Sequence, residues 1–443
     1  MKICFIPIDN RPVCYNLAKE IAAIDKSVEL LIPPRDLLGS LTENAKIFEL
    51  LRWLEQIPKC DRIILSLDTI AYGGLIPSRR SMEAFEDIKE RLELLKKILI
   101  SKNAKIYAFS SIMRISNNNI NEEEKPYWSL YGERIFEYSY KFHKEGVFDS
   151  NGIPKVILLD YLNTRTRNLE INKIYLEWQK EHFFEKLIFS KDDCAEYGIN
   201  VMEALELESL GGEIKTGADE IPLVLLARAL EKDIKVYVEY TEPMQTYLIS
   251  NYEDISISQS VSNQLKLGGF IEVFSQQDAD LILYVNNFKE KQGELVMGIY
   301  TESYNKTFTP QNIPYAIADL RFANGADNEF TKQVLSTMKI ENFYGYSAWN
   351  TSANSLGSLI AFIKFKYNAS NYDEIAFKKS QAIRFLDDWA YQANVRNKIS
   401  SPCNIKKLMT QYEETIEKAL NFSIKKCKYT HPWNRKFEIE VSL

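Results

Sequence analysis

The chain has 443 residues, of which 45% are hydrophobic and 26% are charged, and its formal net charge is -6. This composition is typical of a globular protein with a substantial core, so general disorder is excluded. The acidic balance gives no attraction to a phosphate backbone, and no run approaches the ~20 apolar residues of a membrane span. We therefore expect neither a nucleic-acid partner nor a membrane partner.

The cysteine and histidine content limits the kinds of metal site and disulfide that we expect in this chain. Six cysteines are scattered without the paired spacing of a zinc site or the density of a disulfide scaffold, and only three histidines are present. The Walker A and GxGxxG patterns are absent. The first residues include too few apolar side chains before Asp9 for a signal peptide. We expect a cytoplasmic protein without a cofactor or a bound metal.

In chain order, short apolar runs with strand composition alternate with segments of helical spacing. Most of the predicted strands end in a polar group, and these groups are Asp9, Asp68, Asp192, Asp219, Glu242, Asn286, Asp319 and Asn350. Other polar or aromatic side chains lie in the loops after the strands, namely Arg11, Tyr72, Arg80, Arg114, Tyr197 and Asn354. Ligand chemistry in parallel α/β folds collects at the carboxyl ends of strands, so these side chains are candidates for one binding site.

The number of polar strand ends bears on the architecture. A closed barrel brings every strand end to one mouth, whereas an open sheet presents mainly the strands beside its switch point. We therefore predict an α/β fold that is a TIM-like barrel with extra strands over residues 1–367. Residues 368–443 are predicted to form a helical C-terminal cover. Two doubly wound α/β lobes are the alternative architecture.

The segment KLIFSKDDCAEYG, Lys186 to Gly198, carries the pattern that best indicates a site. Its apolar run is typical of a strand buried on both faces, and the run stops at two adjacent carboxylates, Asp192 and Asp193. We predict that the strand delivers both acids to the site as catalytic groups. The competing interpretation is that one of them caps the helix that follows.

Two carboxyl groups in unlike environments can divide proton donation from charge stabilisation or nucleophilic attack, which is the requirement of glycoside hydrolysis. Adjacent acids also resemble the arrangement in substrate-assisted N-acetylhexosaminidases. We therefore predict a glycoside hydrolase acting on a small molecule or oligosaccharide, which the other strand-end residues bind. Two alternatives are a non-catalytic small-ligand or sugar-binding protein, and a divalent-metal hydrolase that uses Asp9, Asp68 and Asp192.

Six sequence blocks together resemble an uncharacterised bacterial family known as a domain of unknown function. The blocks are IPIDNRPV, LSLDTIAYGGLIPSR, RTRNLEINK, FSKDDCAEYG, TGADEIPLVLLARAL and AWNTSANSLG. The resemblance extends from Met1 to about Phe365. It implies that the blocks belong together, and it implies no particular reaction.

Overall fold

The computed structural model describes residues 1–192, 195–399, 405–424 and 426–443. The chain forms two compact units: unit 1 is Met1–Tyr15 with Glu29–Pro222, and unit 2 is Asn16–Val28 with Leu223–Leu443. The boundary that we predicted at residue 367 coincides with no boundary between these units. The division leaves little trace in the sequence, because two of the three crossings between the units lie within helices rather than in a Pro- or Gly-rich linker.

Unit 1 contains one parallel sheet of six strands in the order β2-β1-β3-β4-β5-β6. The strands are β1 Lys2–Ile6, β2 Glu29–Leu31, β3 Arg62–Ser66, β4 Lys105–Ile112, β5 Lys186–Lys191 and β6 Ile214–Thr216. The helices are α1 Pro12–Ala22, α2 Ile47–Gln56, α3 Leu67–Ala71, α4 Leu75–Arg80, α5 Phe85–Lys102, α6 Trp128–Glu145, α7 Lys155–Lys180 and α8 Ile199–Ser209. Helix α1 begins in unit 1 and ends in unit 2.

Unit 2 contains a parallel sheet of five strands and two short strand pairs. Its strands are β7 Ile234–Tyr240, β8 Phe270–Val273, β9 Leu281–Asn286, β10 Gly293–Glu294, β11 Tyr315–Asp319, β12 Phe322–Ala323, β13 Phe343–Ser347, β14 Lys428–Thr430 and β15 Glu440–Ser442. Its helices are α9 Ile221–Arg228, which begins in unit 1, α10 Ile257–Leu267, α11 Asn328–Thr337, α12 Ser352–Asn368, α13 Glu374–Arg384 and α14 Ile405–Leu420. The main sheet has the order β13-β11-β9-β7-β8, and the short pairs are β10 with β12 and β14 with β15.

The two main sheets share one strand order. In each, the first strand lies between the second and the third, and the fourth and fifth strands follow outward. This 2-1-3-4-5 order is that of a doubly wound fold. The α/β class is therefore confirmed, but the TIM-like barrel is not, because the parallel strands are divided between two sheets that each have two edge strands. The alternative of two doubly wound lobes matches both strand orders.

The central strands form because their residues are apolar on both faces. Ile3 to Ile6 of β1 and Ile63 to Leu65 of β3 are completely buried, as continuous apolar runs in parallel sheets usually are. The predicted strand before Asp192 is present as β5. The apolar residues 156–159 lie in the helix α7.

The region after residue 368 is largely helical, as predicted, but it contains more than a cover. It includes the strands β14 and β15, which are too short to show a period in the sequence. The π-helix Phe385–Val395 buries Asp387 and Asp388, and Arg384 donates to each carboxylate at 3.0 Å. No helix in the described part of the chain has both the length and the apolar character needed to cross a bilayer.

Candidate functional site

The carboxyl edge of the unit 1 sheet brings together several of the predicted site residues. In a doubly wound sheet of this order, the crevice at the switch point opens between β1 and β3. The charged residues that follow successive strands at this edge are Asp9 and Arg11 after β1, Asp68 after β3, Arg114 after β4, Asp192 after β5 and Asp219 after β6. Within unit 1, these residues therefore follow strands of one parallel sheet.

Arg11 connects the loop after β1 to the loop after β6. Its Nε donates to Asp9 Oδ2 at 2.8 Å, and its Nη1 and Nη2 donate to Asp219 Oδ2 and Oδ1 at 3.0 and 2.5 Å. All three side chains are buried. Burial raises the pKa of Asp219, although the Arg11 charge opposes this effect. One guanidinium group therefore bonds to two carboxylates.

A metal ion is poorly suited to the group that Asp9 and Asp219 form with Cys14. The ligand atoms of Asp9, Cys14 and Asp219 all lie within 4.8 Å of one another, as metal ligands would. However, the Arg11 guanidinium already supplies the positive charge between the two carboxylates, so a cation would have to displace it. The alternative metal set, Asp9, Asp68 and Asp192, forms no such group among the described residues.

Asp192 lies between two guanidinium groups. Its Oδ2 is 3.5 Å from Arg79 Nη2 and 3.7 Å from Arg114 Nη1. Arg114 also forms ion pairs with Glu123 at 2.9 Å and Glu124 at 3.1 Å. The Arg79 side chain is 1% exposed, whereas that of Asp192 is 23% exposed. Because Asp192 shares both guanidinium groups with Glu123 and Glu124, it forms part of one charged network at the end of β5.

The capping interpretation of the acid pair is not supported for Asp192. Helix α8 begins at Ile199, its N-cap is Gly198, and the N–H groups of these two residues donate to Ser139 Oγ at 2.7 Å and to His143 Nδ1 at 3.0 Å, respectively. Asp193, the second predicted catalytic residue, lies outside the described residues. Its role stays a prediction.

Arg79 was missing from the predicted residues, and Arg80 was chosen in its place. Arg80 instead holds a loop, because it donates to the carbonyl oxygens of Leu41 at 2.9 Å and Glu124 at 3.1 Å, and to that of Glu122. Both arginines end helix α4, where successive side chains point about 100° apart. The paired arginines were visible in the sequence, but only the direction of the helix shows which one turns toward Asp192.

Tyr72 and Tyr197 have packing partners. Tyr72 is 2% exposed, and the guanidinium of Arg167 lies 5.4 Å from the centre of its ring. Tyr197 is half-buried, and its ring centroid is 5.4 Å from those of Tyr140 and His143 on α6. The roles of both tyrosines in substrate binding stay predictions.

Asp68 is buried beneath the edge rather than exposed at it. Its Oδ2 accepts the backbone N–H of Ser111 at 2.8 Å, its Oδ1 is 3.3 Å from Ser110 Oγ, and the residue is 1% exposed. Burial is the main cause that raises the pKa of Asp68, to about 6, against these hydrogen bonds and the charge of Arg79. Asp68 is thus enclosed by its neighbours, and its contact with a substrate stays a prediction.

Replacing Asp68 with Asn is expected to change how stability depends on pH. The pKa is about 6 in the folded protein and about 3.9 for an unperturbed Asp, so the folded state binds this proton more tightly. The carboxyl group therefore stabilises the fold most below about pH 4, and of the order of 3 kcal/mol is lost as the pH rises to about 6. An asparagine at this position cannot ionise. Urea denaturation from about pH 4 to pH 7 should show the variant gaining stability relative to wild type, and a constant difference would contradict the raised pKa.

Gly217 shapes the turn that presents Asp219. Its φ is +102°, and a Cβ at this position would lie 1.9 Å from Oε1 of the fully buried Glu220. We expect Gly217→Ala to lower the free energy of unfolding by about 1–3 kcal/mol through backbone strain and steric overlap. Gly146→Ala is the matched control, because Gly146 also has a positive φ, +69°, but a Cβ there meets nothing within 4 Å. Equal losses in denaturant melts would mean that the overlap has no effect.

The predicted residues Glu242 and Asp319 belong to a network in unit 2. Arg321, which is completely buried, donates to Glu242 Oε1 at 3.1 Å and to Asn286 Oδ1 at 3.0 Å. Asp319 accepts hydrogen bonds from Asn286 Nδ2 at 2.8 Å and from Tyr346 Oη at 3.1 Å. Burial raises the pKa of Asp319 to about 7. The strand ends of the second sheet thus form an enclosed, hydrogen-bonded network instead of sharing the mouth of one barrel.

The predicted residues Asn350 and Asn354 lie at the start of α12. The helix is capped by other side chains, because Thr351 accepts the Asn354 N–H at 3.3 Å and Glu253 Oε1 accepts the Ala353 N–H at 2.6 Å. Asn350 has a φ of +56°, and its carbonyl accepts a backbone hydrogen bond. The amide side chains of Asn350 and Asn354 do not form the cap, and their roles in substrate binding stay predictions.

Comparisons with curated proteins and with solved structures give no match. A family model described as "Protein of unknown function (DUF4127)" matches residues 3–442. The match includes the C-terminal region, which lies beyond the blocks that carry the resemblance in the sequence. The chain therefore belongs to the DUF4127 family of proteins of unknown function.

Proposed function

We propose that unit 1 is a carboxylate-dependent hydrolase that cleaves a glycosidic bond at the carboxyl edge of its sheet. The observation that carries the proposal is the placement of Asp192, whose carboxylate lies 3.5 and 3.7 Å from two guanidinium groups at the end of β5. An acid held in this way keeps its charge while a positive charge develops on the sugar ring. Asp192 is accordingly the nucleophile or the charge-stabilising group.

The contrast between the two sheets supports unit 1 as the site. The side chains of Asp192, Glu123 and Arg114 are 23, 22 and 16% exposed, so a ligand can reach them. At the matching edge of unit 2 the side chains of Arg321 and Asp327 are 0% exposed and that of Glu242 is 10% exposed. A reactive carboxylate must be accessible, and the carboxylate of Asp192 is more exposed than that of Glu242.

The charge of the edge indicates the kind of substrate. Three arginines, Arg11, Arg79 and Arg114, face five carboxylates, those of Asp9, Glu123, Glu124, Asp192 and Asp219. This set combines guanidinium donors with carboxylate acceptors, and the hydroxyl groups of a neutral glycoside can bond to both.

The proton donor in this proposal is Asp193, the second acid of the pair. With Asp192 holding the charge, Asp193 protonates the leaving oxygen, and its separation from Asp192 decides between retention and inversion. The substrate-assisted route on an N-acetylhexosaminide assigns the charged role to the acid that supports the acetamido group. We assign that role to Asp192, with its two guanidinium partners.

The location of the protein in the cytoplasm stays a prediction.

The purified protein should release nitrophenol from at least one neutral member of a panel of nitrophenyl glycosides that includes the N-acetylglucosaminide. The rate should be unchanged by a chelator, because the proposed groups need no metal. Turnover that the chelator abolishes would overturn the metal-free mechanism in favour of a divalent-metal hydrolase. Binding of glycosides by calorimetry without any turnover would overturn the hydrolase in favour of a sugar-binding protein.

A further inference from the structure

Helix α6 holds the start of helix α8 through two side chains. The backbone N–H of Ile199 donates to Ser139 Oγ at 2.7 Å, and that of Gly198 donates to His143 Nδ1 at 3.0 Å. Ser139 and His143 are one turn apart on α6, so they lie on the same face of that helix. Gly198 is buried, so its N–H needs an acceptor within the protein. His143 supplies that acceptor.

Aromatic packing joins the same two parts of the chain. The ring of Tyr197 meets that of Tyr140 at an angle of 77° and that of His143 at 66°, with the centroids 5.4 Å apart in both pairs. The ammonium group of Lys144 lies 5.3 Å from the centre of the Tyr140 ring and 5.4 Å from that of Tyr197. The residue before Gly198 is therefore also attached to α6.

These contacts hold one end of the segment 192–198, which connects β5 to α8 and contains both predicted catalytic acids, Asp192 and Asp193. At the other end, the Asp192 carboxylate lies 3.5 Å from Arg79 and 3.7 Å from Arg114. Both ends of this short segment are therefore attached to neighbouring elements. A change at Gly198 acts on the acids through the chain itself.

The bond to Gly198 determines where His143 carries its hydrogen. A backbone N–H can only donate, so Nδ1 must present its lone pair and the neutral ring carries its hydrogen on Nε2. A second proton would bind at Nδ1, and two donors would then face each other. The hydrogen bond from Gly198 therefore exists only while the His143 ring is neutral.

The titratable and charged groups around His143 lie on its own helix and on the segment before α8. They are Tyr140, Lys144, Glu196 and Tyr197. On α8, Glu203 bonds to Arg165 of α7 instead. Of these groups, His143 is the one that bonds to the Gly198 N–H, so its protonation acts on this residue directly.

We propose that His143 is a positioning residue whose neutral ring holds Gly198, and with it the segment that carries Asp192 and Asp193, and whose protonated ring releases it. In the release, a proton from a hydronium ion binds the lone pair of Nδ1, and the hydrogen bond from the Gly198 N–H breaks. Loss of the proton to water restores the bond. The effect on the two acids rests on the proposed hydrolase, whereas the release of Gly198 does not.

Proton–nitrogen correlation NMR of the full-length protein, labelled at histidine, shows which ring nitrogen carries the hydrogen. The chain has three histidines, so single His→Asn variants assign every signal, the third by elimination if one variant does not fold. At a pH where the His143 ring is neutral, we expect its hydrogen on Nε2. A neutral ring with its hydrogen on Nδ1 would overturn the proposal.

The amide signal of Gly198 tests the release. In wild type, its chemical shift should follow the titration of the His143 ring. Asn carries an acceptor oxygen in the place of Nδ1 and does not titrate, so His143→Asn should make the shift independent of that titration. His143→Phe keeps a ring but no acceptor, and the Gly198 amide hydrogen should then exchange with solvent about tenfold faster. A wild-type Gly198 signal that ignores the His143 titration would overturn the release.

Once a cleaved glycoside is known, turnover should fall in acid at the same pH at which the His143 ring titrates. His143→Asn should remove this fall. His182→Asn is the matched control and should leave it unchanged, because His182 is exposed and its φ of +56° suits Asn. A fall that persists in His143→Asn would overturn the effect on the acids but leave the NMR result standing. Absence of any turnover would overturn the hydrolase, and the release of Gly198 would still be decided by NMR.

Discussion

Replacing Asp192 with Asn should lower the turnover of a cleaved glycoside by about 10²–10⁴-fold while the protein stays folded, as expected for loss of a positioned catalytic carboxyl group. Asn has the same shape but no charge, so it cannot stabilise or attack a positively charged sugar. Arg79 and Arg114 each also form ion pairs with Glu123 and Glu124, at 2.9–3.6 Å, so their charges stay compensated. The comparison is made by steady-state kinetics at equal protein concentration.

Asp87→Asn is the matched control for this experiment. Asp87 is exposed in the first turn of α5, so the same chemical change should alter turnover less than about twofold. Thermal melts of both variants show whether a loss of activity reflects unfolding. Turnover that survives in a folded Asp192→Asn protein would remove Asp192 from the mechanism.

Arg11→Gln should lower the free energy of unfolding by about 3–5 kcal/mol, since it leaves the buried carboxylates of Asp9 and Asp219 without their counter-charge. Burial already raises the pKa of Asp219, and losing Arg11 raises it further. The folded variant then takes up a proton, so the loss should be smaller in acid than at neutral pH. Urea denaturation at two pH values measures both effects.

Two further substitutions separate the buried ion pair from a general effect of removing an arginine. Arg52 is exposed on α2, and Arg52→Gln should cost less than about 0.5 kcal/mol. Arg11→Lys keeps the charge but not the bidentate geometry, so it should restore part of the stability. If Arg11→Gln and Arg52→Gln lower the free energy of unfolding equally, the ion pairs of Arg11 with Asp9 and Asp219 make no net contribution to stability.

Individual strands could be predicted from the sequence because the residue pattern that indicates a strand lies within a few consecutive positions. The apolar run before Asp192 has the length and composition of a buried strand, and β5 lies there. The strand ends at Asp9 and Asp219 were visible for the same reason, since both acids directly follow apolar or β-branched runs. The family resemblance rested on blocks of sequence, and the family match over residues 3–442 agrees with it.

The chain alone thus determined the α/β class, most strands and which acids end them. The tertiary structure decided the rest, because strand order depends on long-range pairing that no local period records. It placed Glu242 and Asp319 at strand ends of a different sheet from that of Asp192. It also enclosed Asp68 and turned Arg79 rather than Arg80 toward Asp192, because burial and side-chain direction are properties of packed elements.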